Sequence, residues 1–241
     1  MEIKSNKMAI LIDGDNARSK LIKPILEEVS KYGKVTIRRI YGDWTSPSMN
    51  SWKTILNELS FTPIQKFSYT KGKNSTDSSL IIDAMDILHD GVVDGFCIVS
   101  SDSDYTGLAK RIREEGVFVM GIGEKKTPTA FVHSCELFTY CETIEPGRSQ
   151  PETKASAGNK AKNNDKKTAI DRALIDKAFD MSVNDDDTAF ISLIGTNLRK
   201  LDPSFDSRTY GFRNLTLLFK SLENYEVSTN ESNNVIVRRK N

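Results

Sequence analysis

Two short acidic constellations hold the residues best suited to chemistry. Asp13 and Asp15 close the apolar run Met8-Ala9-Ile10-Leu11-Ile12, and Asp102 and Asp104 close Phe96-Cys97-Ile98-Val99-Ser100-Ser101. In an open α/β sheet, ligands gather outside the carboxyl ends of the strands, so segments far apart in the chain can meet in one crevice. Carboxylates held close together repel unless a hard cation such as Mg²⁺ neutralises them. The pattern therefore points to a metal site.

Each constellation also has a plainer use. In Asp13-Gly14-Asp15-Asn16, Gly14 permits close backbone approach and Asn16 can cap a helix or orient a water or phosphate. Asp-Gly is also a turn signal, which explains Asp15 and Asn16 more simply than it explains Asp13. In Ser100-Ser101-Asp102-Ser103-Asp104-Tyr105, Ser101 or Ser103 can cap the following helix, whose dipole favours a nearby acid. Two acids and three serines exceed what a cap requires. A third segment, Lys71-Gly72-Lys73-Asn74-Ser75-Thr76-Asp77, leads into a helix predicted over 78–89. At about 100° per residue, Asp77 shares a face with Leu80, Ile81 and Ala84, whereas Asp83 points elsewhere as a network or surface residue. An inward-facing acid needs a partner or a metal. Lys71 and Lys73 are either solvated turn residues or contacts for substrate phosphates.

The elements that must position these acids alternate in type. β-rich runs at 8–12, 35–41, 62–67, 95–100 and 117–122 are separated by helical periodicity: Leu21, Ile25, Leu26 and Val29, then Trp52, Ile55, Leu56 and Leu59, then Leu108 and Ile112. This βαβα order predicts an α/β domain with a mostly parallel sheet flanked by helices. Composition changes near Pro146. Gly147 to Lys167 holds almost no large apolar residue and is predicted to be a flexible linker. Its six basic and two acidic residues give 6 − 2, a net charge of +4, which serves either solubility or weak attraction of a polyanion. Beyond it, Ile170, Leu174, Ile175 and Ala178 mark one helix, Phe190, Leu193, Ile194 and Leu198 a second, and Leu215, Leu217, Leu218 and Leu222 a third. Short strands follow around 225–228 and 235–237. Three helices and a β-hairpin describe a small winged-helix (α+β) module. The expected organisation is a first domain over 1–145, a basic linker over 146–167 and a second domain over 168–241.

Of the 241 residues, 38% are hydrophobic, enough for buried cores. No apolar run approaches the roughly 18 residues of a membrane helix, and the first residues lack the apolar stretch of a signal peptide. No membrane partner and a cytoplasmic location are expected. Cys97, Cys135 and Cys141 lack paired metal-ligand spacing and are read as buried reduced thiols. With only His89 and His133 present, a histidine-rich zinc site is not expected. The net charge of +1 leaves nucleic acid open, because a local basic surface can bind it on a neutral protein.

Taken together, Ile12-Asp13-Gly14-Asp15-Asn16, Tyr41-Gly42-Asp43-Trp44, Lys73-Asn74-Ser75-Thr76-Asp77 before an apolar helix with Asp83, and Ser100-Ser101-Asp102-Ser103-Asp104-Tyr105 resemble, in order, the motifs of NYN domains. These form the branch of the PIN-like nuclease superfamily that includes LabA-type and DUF88 proteins. The resemblance covers residues 8–144. It implies an acidic pocket of Asp13, Asp77, Asp102 and Asp104 with Asn16 and Ser101 in support. Two loops depart from the family pattern: Asn74-Ser75-Thr76-Asp77 stands where the family commonly reads Lys-Gly-Val-Asp, and Ser100-Ser101-Asp102 where it reads Ser-Gly-Asp. Both keep the acid. Residues 168–240 resemble an OST-HTH/LOTUS module, through Ile194–Asp206, then Arg208-Thr209-Tyr210-Gly211-Phe212 and the helix Leu215–Leu222. That implies RNA or protein binding, with Arg199, Lys200, Arg208, Arg213 and Lys220 as candidate contacts.

The leading expectation is a ribonuclease dependent on Mg²⁺ or Mn²⁺. Asp13 and Asp102 are the central ligands, Asp77 and Asp104 complete the site, and the metal activates water for in-line attack on the phosphodiester. Asn16 and Ser101 position water or phosphate, Lys71 and Lys73 attract the backbone, and Tyr41, Trp44, Tyr69 or Tyr105 supply stacking, with core packing the expected use of at least half of these four. The altered loops motivate an alternative, an RNA-binding regulatory adaptor with a weak pocket. A third reading, a phosphatase using Asp13 as covalent nucleophile, rests on Asp13-Gly14-Asp15 alone. A protein partner and homo-oligomerisation stay open, as do the RNA cut and whether the cut is internal or terminal.

Overall fold

The apolar run ending at Asp13 forms β1 (Lys7–Asp13), flanked by β2 (Lys34–Gly42) and β4 (Gly95–Val99). The structure, a computed structural model, describes residues 6–67, 75–145 and 169–240 and divides into two units, residues 1–146 and 147–241. In the first unit, β3 (Thr62–Gln65), β5 (Phe118–Gly123) and β6 (Leu137–Tyr140) complete a six-stranded sheet of order β3-β2-β1-β4-β5-β6, every pair of it parallel. The strand order reverses direction between β1 and β4. Their carboxyl ends therefore border the crevice where doubly wound sheets place ligands.

Alternation along each strand builds two cores. One face gathers Ile10, Ile12, Cys97 and Val99 under α1 (Ile22–Val29) and α2 (Asn50–Leu59), with Ile22, Ile25, Val29 and Trp52 buried against them. The opposite face gathers Ala9, Leu11, Phe96 and Ile98 under α3 (Ser75–Asp90), α4 (Thr106–Glu114) and α5 (Thr129–Ser134). Central strands covered on both sides read as continuous apolar runs, as β1 and β4 do. The short α6 (Cys141–Ile144) closes the unit. All three cysteines are buried and free, and burial raises each thiol, Cys135 to about 12 and Cys141 to about 11.

The five predicted strands are present within two residues of their expected ends, but β6 was not among them. At four residues, directly before a helix, it offers too short an alternation to stand out. The predicted strand over 62–67 stops at Gln65.

In the second unit, α7 (Arg172–Asp180), α8 (Ile191–Leu201) and α9 (Leu215–Lys220) pack on a sheet of order β7-β9-β8, formed by β7 (Thr188–Phe190), β8 (Tyr225–Thr229) and β9 (Val235–Arg239). Its core holds Ile175, Phe179, Ile194, Leu198, Leu218, Phe219 and Val237. This is the small winged-helix arrangement. Phe190 ends a strand instead of starting a helix, and Phe190, Leu193 and Leu217 are exposed although the periodicity would bury them. Among the described residues no helix is long and apolar enough to cross a membrane.

Candidate metal centre

Asp13 is carried to the end of β1 on the face shared with Ala9 and Leu11, and is fully buried. Ile12 lies opposite Val99 in the parallel register, which brings Ser100 beside Asp13. The Ser100 hydroxyl donates to Asp13 Oδ2 at 2.9 Å, and the Asn16 amide Nδ2 donates to the same oxygen at 2.7 Å. The backbone N–H groups of Asp15 and Asn16 donate to Oδ1 at 3.2 and 3.3 Å. Both oxygens of Asp13 are thus engaged by the chain itself. Gly14 is required here: a Cβ would lie 2.7 Å from the Tyr41 carbonyl oxygen and 2.8 Å from Met49 Cε.

β4 delivers the next acids. Ser100 Oγ also accepts the Asp102 N–H at 3.1 Å. Asp102 then accepts the Asp104 N–H at 3.0 Å, capping the short 3₁₀ turn Ser103–Tyr105 that leads into α4. Asp77 enters from the first turn of α3, where the helix dipole favours an acid. It accepts a hydrogen bond from the Tyr105 hydroxyl at 2.7 Å.

Asp77, Asp102 and Asp104 each offer a carboxylate oxygen within 4.8 Å of the others. Burial raises the pKa of Asp77; Tyr105 opposes the rise, and the charges of Asp13, Asp102 and Asp104 add to it. Burial also raises Asp13, against its hydrogen bonds from Asn16 and Ser100. Acids so placed hold protons more tightly than free carboxylates, or gain from a cation. An all-oxygen set of this kind fits a hard divalent ion and offers nothing to a thiophilic one.

The other expected site residues divide. Asn16 meets Asp13 directly. Ser101 accepts the Glu124 N–H at 2.9 Å and holds the end of β5, while the serine that reaches the acids is Ser100, which the expected pocket had omitted. A signal for it existed: Ser100 continues the buried face of Phe96 and Ile98, where a polar group needs a partner. Tyr41 and Tyr105 are fully buried and cannot stack on a base, so these two of the four candidate aromatics serve the core. Trp44 is half-buried, its indole N–H donating to the Ile64 carbonyl at 3.0 Å. Lys71, Lys73 and Tyr69 lie outside the described residues. Asp83 is a network residue, joined to the Arg39 guanidinium and the Tyr41 hydroxyl.

In the second unit Arg199 and Lys200 are exposed in the last turn of α8, and Arg213 and Lys220 are also exposed. Arg208 instead forks onto Asp206, through Nε at 3.0 Å and Nη2 at 2.6 Å. Its guanidinium is occupied within the fold, unlike that of an open phosphate contact.

The NYN domain family matches residues 7–145, and the chain belongs to it. The OST-HTH/LOTUS domain matches residues 162–237. NYN domains belong to a nuclease superfamily and OST-HTH/LOTUS domains are RNA-binding, so the pair suggests an RNA-related function. Among solved structures, the chain is similar to a protein of unknown function, VPA0982, from Vibrio parahaemolyticus, with 20% identity, a TM-score of 0.49 and coverage of 58% of this chain and 95% of that one. It is also similar to an uncharacterized protein from locus NE0665 of Nitrosomonas europaea, with 26% identity, a TM-score of 0.31 and coverage of 37% and 91% respectively. No curated protein matches.

Proposed function

We propose that the protein is a divalent-metal-dependent ribonuclease that hydrolyses RNA phosphodiester bonds, with its C-terminal winged helix binding RNA. The observation that carries this reading is the convergence of Asp77, Asp102 and Asp104 at the switch point of the sheet. These three acids, with Asp13 buried beside them, would hold Mg²⁺ or Mn²⁺. Such an ion, when bound, supplies positive charge to a phosphoryl oxygen and lowers the pKa of water.

The chain's own residues do the rest. Ser100 and Asn16 fix Asp13, and Ser100 also fixes the turn bearing Asp102. No side-chain nucleophile is needed, and full burial with both oxygens engaged makes Asp13 a poor one, which argues against the phosphatase reading. Lys71 and Lys73, just before Asp77 in sequence, attract the phosphate backbone, and Trp44 offers an aromatic surface to a base. Arg199 and Lys200 make sequence-independent phosphate contacts. The reaction is placed in the cytoplasm.

Cleavage of single-stranded and structured RNA by the full chain, with and without Mg²⁺ or Mn²⁺, tests this beside Asp102→Asn and Asp13→Asn. Cleavage by the native chain that needs metal and is lost in both variants is expected. The engagement of both Asp13 oxygens favours a second reading, the weakly catalytic RNA-binding adaptor. RNA binding without cleavage under either ion would select it.

A further inference from the structure

Two buried tyrosines hold carboxylates of the same helix. Tyr41, on β2, donates its hydroxyl to Asp83 Oδ2, while Arg39 Nη1 pairs with Asp83 Oδ1. Tyr105, in the turn after β4, donates to Asp77 Oδ1 at 2.7 Å. Both rings are fully buried in the core beneath α3 and α4. Helix α3 is thereby fastened at two points along its length, from opposite sides of the switch point, since β2 and β4 flank β1.

We propose that Tyr105 is the positioning residue of the acidic centre: its hydroxyl fixes the Asp77 carboxylate toward Asp102 and Asp104, while the Tyr41–Asp83–Arg39 contact fixes the helix that carries it. The inference rests on the reading of this cluster as a divalent-ion site. A rotatable carboxylate among like charges would turn away from them, because each neighbour repels it and burial penalises its charge. The phenol opposes both effects. It gives one oxygen a fixed donor, and its ring, packed 6.3 Å between centroids from Phe131, cannot follow the carboxylate outward. Asp102 needs no such device, because its carboxylate already caps the turn that follows it.

Tyr105→Phe keeps the ring and removes only the donor. In the full chain, Mn²⁺ affinity by titration calorimetry is expected to fall roughly 10–100-fold, the usual effect of deleting a group that orients a metal ligand. Tyr41→Phe, which leaves Asp77's donor in place, is expected to cost much less affinity. In the metal-free protein, three-bond couplings of Asp77 read its side-chain rotamer directly. One rotamer in the native chain and in Tyr41→Phe, with averaging in Tyr105→Phe, is expected. Unchanged Asp77 couplings in a folded Tyr105→Phe variant overturn the inference whatever the metal result. A native chain that shows the coupling difference but takes up no Mn²⁺ or Mg²⁺ overturns the metal reading and leaves the positioning role standing.

Discussion

Asp77 and Asp83 sit on one helix and meet opposite surroundings. Asp83 faces a guanidinium and a phenol, both part of the chain, so its charge is balanced within the fold. Among the described residues, Asp77 faces three other carboxylates and one neutral side-chain donor, Tyr105. The contrast separates an acid paired within the fold from one that stands among like charges. The second unit repeats it in the other sign: Arg208 is neutralised by Asp206, whereas Arg199 and Lys200 carry no carboxylate partner among the described residues. These are the charges at which the proposed cation and RNA would find their complement.

The largest effect that would break this comparison is on activity. Asp102→Asn is expected to lower metal-dependent RNA cleavage at least about 100-fold, since a metal centre contributes several kcal/mol to the transition state and each 1.36 kcal/mol is tenfold in rate. Full activity in that variant would falsify the metal role. Next comes Arg39→Ala, which leaves Asp83 partly buried with only Tyr41. A loss of about 1–3 kcal/mol in urea denaturation is expected, independent of added metal.

Asp77→Asn should act in the opposite direction. In metal-free protein at neutral pH it removes a charge that the fold disfavours, and the thermal midpoint is expected to rise by a few degrees while the gain on adding Mn²⁺ disappears. The pH dependence follows the same sign. Asp13 and Asp77 bind protons more tightly in the folded state, so their contribution is complete below the unfolded carboxylate range and is lost as pH rises through their raised folded values. With metal present the trend reverses, because the ion binds the ionised form and its stabilisation grows with pH. Calorimetric scans at several pH values, with and without Mn²⁺, check both trends; parallel curves would sink the cation reading.

The smallest effect is in the winged helix. Arg199→Ala and Lys200→Ala should each weaken RNA binding a few-fold and make the slope of log affinity against log salt shallower by about 0.7 for each phosphate the protein no longer neutralises. Arg208→Ala is expected to leave that slope unchanged. A change in slope for Arg208 as large as for Arg199 would dissolve the distinction between paired and open charges.

The central strands were legible because burial on both faces leaves no ambiguity in Met8–Ile12 or Phe96–Val99. Asp77 was legible from helical period, which set it on the face of Leu80 and Ala84 and set Asp83 apart. Ser101 was preferred to Ser100 because β4 is buried on both faces: alternation sets Ser100 with Phe96 and Ile98 and Ser101 with Cys97 and Val99, without saying which face carries Asp13. Register decided that, by setting Val99 opposite Ile12 and so Ser100 beside Asp13. Phe190 was misjudged because a three-residue strand pairs with β9, distant in sequence, and local periodicity carries no trace of that partner.

Sequence by itself determined the alternation of strands and helices, the placement of acids at strand ends, and the second module, because these follow from local period and composition. The resemblance to NYN motifs named the acids, and the tertiary structure decided how they meet, with Asp77, Asp102 and Asp104 converging and Asp13 held beside them by Ser100 and Asn16. Bringing Asp77 within 4.8 Å of Asp102 and Asp104 requires a helix and a turn from separate crossovers to converge on one sheet edge. It also gave Tyr41 and Tyr105 their roles, because whether a phenol packs, stacks or donates depends on what the fold sets against its hydroxyl.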